Sequence, residues 1–144
     1  LRRGALMFDW QEYADLALLG ALSYFNAARQ AEAEAAFDVA LATWAGWGFL
    51  DKYSRGRGYF HTYPIGLALY VSRAMGKPIL AGVKAQMERV LELCQTGDGG
   101  IITLYDFLGK PFGTASEEST CAALLGYIQE HKRVSPVSRW GGWL

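Results

Sequence analysis

Trp44-Ala45-Gly46-Trp47-Gly48-Phe49 and Gln95-Thr96-Gly97-Asp98-Gly99-Gly100-Ile101 are two glycine-rich loops about 52 residues apart, and their recurrence organises the rest of the chain. Each follows an amphipathic helical pattern and precedes an apolar one. Further on, Leu67-Ala68-Leu69-Tyr70 matches Leu124-Leu125-Gly126-Tyr127 at an interval of about 57 residues. That period marks a repeated unit, here a helical hairpin that cannot bury its own core.

Five helices read outward from these loops. The first, about 11–28, is apolar on nearly every side through Leu16, Leu18, Leu19, Leu22, Tyr24 and Phe25, as in a helix surrounded by others. The second, about 31–46, is amphipathic, with Phe37, Leu41 and Trp44 at helical spacing and Glu32, Glu34 and Asp38 elsewhere. After a loop over 47–61, Pro64 opens a third helix that is again apolar all round over 65–71. The fourth follows Pro78 and sets Ile79, Val83, Met87, Val90, Leu91 and Cys94 against Lys84, Gln86, Glu88, Arg89 and Glu92. The segment 97–113 reads as a loop, and Thr114 with Glu117 reads as a capping box that starts a fifth, apolar helix running to about Lys132. The order inner, outer, inner, outer, inner predicts an all-α fold of helical hairpins. One repeat domain is expected over 1–133, with 134–144 as a tail or the start of a further repeat.

Composition narrows the function classes. The chain has 144 residues, 51% apolar and 19% charged, with 14 Lys plus Arg against 14 Asp plus Glu. One well-buried domain fits that length, and charge neutrality argues against a nucleic-acid partner, which calls for surplus cations. Asp15, Asp38 and Arg73 interrupt the most apolar stretches, so none reaches the ~18 uncharged residues of a transmembrane segment. The start Leu1-Arg2-Arg3-Gly4-Ala5-Leu6-Met7 lacks the apolar core of a signal peptide and reads as the edge of a trimmed fragment; a cytoplasmic location is the default. Cys94 and Cys121 have no partners at metal-ligand spacing and read as buried small side chains, with a disulfide left open.

Val90-Leu91-Glu92-Leu93-Cys94-Gln95-Thr96-Gly97-Asp98-Gly99-Gly100 resembles the glutamine and glycine motif that recurs in squalene and terpene cyclases. Gly113-Thr114-Ala115-Ser116-Glu117-Glu118-Ser119-Thr120-Cys121-Ala122-Ala123-Leu124-Leu125 resembles the helix that follows it, so that the likeness covers about residues 30–131. The resemblance, shared with protein prenyltransferase β subunits, implies an α/α toroid around an apolar cavity. Gly48-Phe49-Leu50-Asp51-Lys52-Tyr53-Ser54-Arg55-Gly56-Arg57-Gly58-Tyr59-Phe60-His61-Thr62 is similar to the prenyltransferase stretch that ends aromatic-His-Thr. It implies His61 as a zinc ligand, Asp51, Lys52, Arg55 and Arg57 at the diphosphate end of a prenyl substrate, and Tyr59, Phe60 and Tyr63 along its chain. Cations would hold the diphosphate, an acid its magnesium counterion, and zinc would turn a thiol into a thiolate nucleophile. The family draws further zinc ligands from an Asp-x-Cys pair; Asp9-Trp10-Gln11 stands there, keeping Asp9 but with Gln11 in the cysteine's place. The Asp-x-Asp-Asp proton donor of squalene-type cyclases is also missing, since Asp98 is followed by glycine.

The same residues have plainer readings. His61 also reads as a histidine that caps the next helix, and His131 as a surface residue at a helix end. Asp51, Arg55 and Arg57 also read as a solvated loop, and Tyr59, Phe60, Tyr63, Tyr70, Phe107 and Tyr127 as core. Glu117 and Glu118 point about 100° apart on a helix, which suits capping better than paired acid and base. No Walker loop and no Gly-x-Ser-x-Gly elbow is present. Three functions stay open: an isoprenoid-handling enzyme binding a prenyl diphosphate, a non-catalytic interaction module, and a fragment of a carbohydrate-active α/α barrel. Roughly two and a half hairpins cannot close a ring, so another chain or copy is expected to cover the apolar inner helices.

Overall fold

The computed structural model describes residues 8–127. The expected end of the fifth helix near Lys132, His131 and the 134–144 segment lie outside the described residues. Five helices are present, α1 (Ala14–Asn26), α2 (Gln30–Leu41), α3 (Tyr63–Met75), α4 (Ala81–Cys94) and α5 (Glu117–Tyr127), after a short 3-10 turn at Trp10–Glu12. The fold is nevertheless not all-α. Three strands, β1 (Tyr59–His61), β2 (Ile101–Asp106) and β3 (Pro111–Ser116), form an antiparallel sheet in the order β1-β2-β3.

This sheet corrects both the all-α reading and the α/α toroid of hairpins alone. The two segments taken as loops, 47–61 and 97–113, pair with each other: Tyr59 faces Asp106, Phe60 faces Tyr105 and His61 faces Leu104. The cause is local. Ile101-Ile102-Thr103-Leu104-Tyr105 is an unbroken run of β-branched, leucine and aromatic residues that suits a pleated, half-buried surface, with Ile101 and Tyr105 buried. β3 has poor strand propensity and survives at an edge, where Pro111 forfeits little and Leu104 opposite Phe112 supplies cross-strand packing. The capping box is corrected with it. Thr114 lies in β3, and α5 is capped by Ser116, whose Oγ accepts the Ser119 N–H at 3.1 Å.

Helix α3 is the centre of the molecule. It packs against α1 on one side and α5 on the other, with α2 and α4 behind. Its Ile65, Ala68 and Val71 are fully buried, and Pro64 occupies the first turn. Between α3 and α5 the backbones touch, because a Cβ on Gly66 would lie 2.4 Å from the Ala122 carbonyl carbon and oxygen. The amphipathic pair behaves as its pattern implies: α2 buries Ala33, Ala36, Phe37 and Ala40, and α4 buries Met87, Val90, Leu91 and Cys94. Among the described residues no helix is long and apolar enough to cross a membrane. Cys94 is buried and Cys121 exposed, and both are free thiols. Burial pushes the Cys94 thiol up to about 11.

The sheet sets the helix starts. β1 runs into α3 through Thr62, and β3 runs directly into α5. Thr62 is fully buried and fastens that corner: its N–H donates to Thr103 O at 2.9 Å and its hydroxyl to Ile102 O at 2.9 Å. With α3 and α5 aligned by one sheet and α1 packed on α3, three helix N-termini come to the same end of the molecule.

Candidate functional site

A cavity of about 300 Å³ opens where these N-termini meet. Each helix contributes from its first turn or just before it: Tyr13 and Asp15 from α1, Tyr63 and Pro64 from α3, Glu118 from α5. The segment 49–54 forms another wall with Phe49, Asp51, Tyr53 and Ser54, and His61 and Thr103 of the sheet form the floor.

Asp51 builds the site more than it lines it. Its side chain is buried, its Oδ2 accepts the Ala14 N–H at 3.0 Å and its Oδ1 the Ser54 N–H at 2.9 Å. Tyr13 gives α1 no side-chain cap, so Asp51, 37 residues away in sequence, caps it instead. Asp15 accepts the Tyr63 hydroxyl, which ties the start of α1 to the start of α3. Burial and then that carboxylate raise the Tyr63 phenol, which therefore stays protonated and donates. Glu118 is exposed at the cavity and has no side-chain hydrogen bond or ion pair among the described residues.

His61 sits among rings. Its centroid is 4.9 Å from Tyr53, 5.9 Å from Tyr63 and 6.0 Å from Tyr59, and its Nε2 is buried with no hydrogen-bond partner. Burial lowers its pKa, and the nearby Asp15, Asp51 and Glu118 only partly offset that. The ring is neutral at pH 7. A histidine depressed in the folded state adds stability above its unfolded pKa of about 6.5, and that stability is lost as pH falls through the folded value. The expected result is a drop in unfolding free energy below about pH 6.5, smaller in His61→Gln, read by urea titration across that range.

The expected site residues divide. Asp51, His61 and Tyr63 are brought together, with Tyr59 beside His61. Phe60 points to the other face of β1, where its ring meets Tyr105 at 5.5 Å and Phe107 at 5.0 Å. Lys52 pairs with Asp9 and, at 3.4 Å, with Glu12. Arg57 lies 3.9 Å over the Tyr53 ring, and Arg55 is exposed with its Nε 3.4 Å from Leu50 O. Among the described residues, no Lys or Arg lines the cavity. Zinc does not fit the residues expected to hold it: Asp9 is occupied by Lys52 and does not line the cavity, and among the described residues no three His, Cys, Asp or Glu converge as a metal would require. The same holds for magnesium.

No family model, curated protein or solved structure matches this chain. Tyr13, Asp15, Phe49, Tyr53, Ser54, Pro64, Thr103 and Glu118 are the cavity residues that sequence reading missed. A signal was present: an aromatic or an acid stands at the start of each apolar helix, in Tyr13-Ala14-Asp15, Tyr63-Pro64 and Glu117-Glu118. A larger hollow of about 620 Å³, bounded by Leu69, Arg73, Ile79, Lys84 and Tyr127, contains none of the expected site residues.

Proposed function

We propose that the cavity binds a saccharide and that the protein is a carbohydrate-active domain, with Asp15 and Glu118 among the groups that bond the sugar hydroxyls. One observation carries this reading: among the described residues, three carboxylates and four aromatic rings line the cavity and no Lys or Arg does. Sugars present hydroxyls that carboxylates and phenols bond and C–H faces that rings cover, whereas a diphosphate would meet uncompensated negative charge.

Calorimetric titration with neutral oligosaccharides and with geranyl diphosphate tests this. Saturable saccharide binding, weakened about tenfold or more in Glu118→Gln and Asp15→Asn, is the expected result. Binding of the diphosphate alone would favour the isoprenoid reading. Association with a second copy or another chain belongs to the same proposal. It is supported by the exposed apolar side chains of α5, Leu124 at 62% and Leu125 at 37%. Sedimentation is expected to show an assembly that Leu124→Glu dissociates; a monomer at micromolar concentration contradicts it.

A further inference from the structure

The hairpin of β2 and β3 ends in Phe107-Leu108-Gly109-Lys110, far from the helix N-termini in register. Leu108 is 89% exposed, Phe107 52% and Phe112 41%. The turn that carries them is rigid. Asp106 Oδ1 accepts the N–H of both Leu108 and Lys110 at 2.9 Å, the Gly109 N–H donates to Asp106 O at 3.0 Å, and Gly109 takes a φ of 76°.

The tip is apolar on both sides of the sheet. On one side Phe107 leans on Phe60, and Trp47 and Leu93 flank Gly109; on the other Phe112 meets Tyr59 edge-on at 5.9 Å. Two cations stand near the tip: Lys110 is in the turn, and Arg57, which lies over the Tyr53 ring, precedes Gly58 beside Phe107. Among the described residues, the acid there without a cationic partner is Asp106. Asp106 bonds the turn, and Glu92, next to Leu93, pairs with Arg89 at 3.3 Å. Glu117 and Glu118 are at the opposite end of the hairpin, where Ser116 pairs with Ile101.

We propose that this tip seats in the interfacial layer of a bilayer bearing anionic headgroups. Leu108, Phe107, Phe112 and Trp47 enter below the headgroups, while Lys110 and Arg57 stay at the phosphates. The pre-formed turn lets the side chains insert without an ordering cost in the backbone. One small wedge with two cations gives weak, reversible attachment that salt weakens further.

Co-sedimentation of the whole chain with phosphatidylcholine vesicles, with and without phosphatidylserine, tests this. The chain is expected to pellet with the phosphatidylserine vesicles. Lys110→Glu should lower partitioning about fivefold and Leu108→Asp about tenfold or more, with unchanged circular dichroism because both positions are exposed. Three outcomes overturn the proposal: no pelleting with either vesicle, equal pelleting of Leu108→Asp, or a self-association that Leu108→Asp abolishes while vesicles bind neither form. The last would make the tip a protein interface.

Discussion

Gly66→Ala is expected to destabilise the fold by about 3 kcal/mol, the upper end of what overpacking costs. The added Cβ would lie 2.4 Å from the Ala122 carbonyl carbon and oxygen and 2.5 Å from the Ala123 nitrogen, so backbone rather than a flexible side chain must yield. On the partner helix Gly126 returns the contact, since a Cβ there would approach Gly66 O to 3.2 Å. Relief requires α3 and α5 to separate, which loosens the helix that contacts all the others and shifts Glu118 away from Asp15. Gly82→Ala is the matched control. Nothing lies within 4 Å of that position, so exchanging a helical glycine there should be neutral or stabilising by about 0.5 kcal/mol. Urea unfolding of the two variants should move the midpoint in opposite directions.

Asp51→Ala should cost about as much for an unrelated reason. It leaves the N–H groups of Ala14 and Ser54 without acceptors in a buried setting, and bonds to a charged acceptor are worth roughly 1.5–3 kcal/mol each. Asp51→Asn retains one carbonyl acceptor and turns an amide donor toward the other N–H, so its stability should fall between wild type and Asp51→Ala. The two effects separate in the cavity: Asp51→Ala frees the start of α1 and should abolish ligand binding even where the chain remains folded.

The helices were legible because burial repeats at helical spacing over many residues. The apolar stripe of α4 and the all-round apolar α3 lie where the pattern placed them, whereas α2 ends at Leu41, short of the expected 46, and leaves Trp44 in a bridged loop. Both glycine loops close with an isolated antiparallel bridge, Trp44 with Phe49 and Gln95 with Ile101. The sheet was not legible, because its pairing is non-local and its strands are short. β1 has three residues, too few for alternation to show, and β3 begins at Pro111 and contains Gly113. Only Ile101 to Tyr105 carried a strand signal, and it was masked by the glycines before it.

The site failed to show for a related reason. His61, Asp51 and Tyr63 stand close in sequence, but Asp15 and Glu118 reach them only because β1 and β3 deliver α3 and α5 to one end of the molecule. The cations of the same loop gave a misleading charge balance. Lys52 is drawn to Asp9 and Arg57 lies over the Tyr53 ring, so neither is among the described residues that line the cavity.

Amide and imidazole chemical shifts recorded while a neutral oligosaccharide is titrated into the protein test the central claim most directly. The account predicts saturable changes at the His61 ring and at the amides of Ser54, Thr103 and Glu118, with the helix-packed Leu69 and Met87 unmoved. No change at these positions, together with changes there on adding geranyl diphosphate, would contradict it.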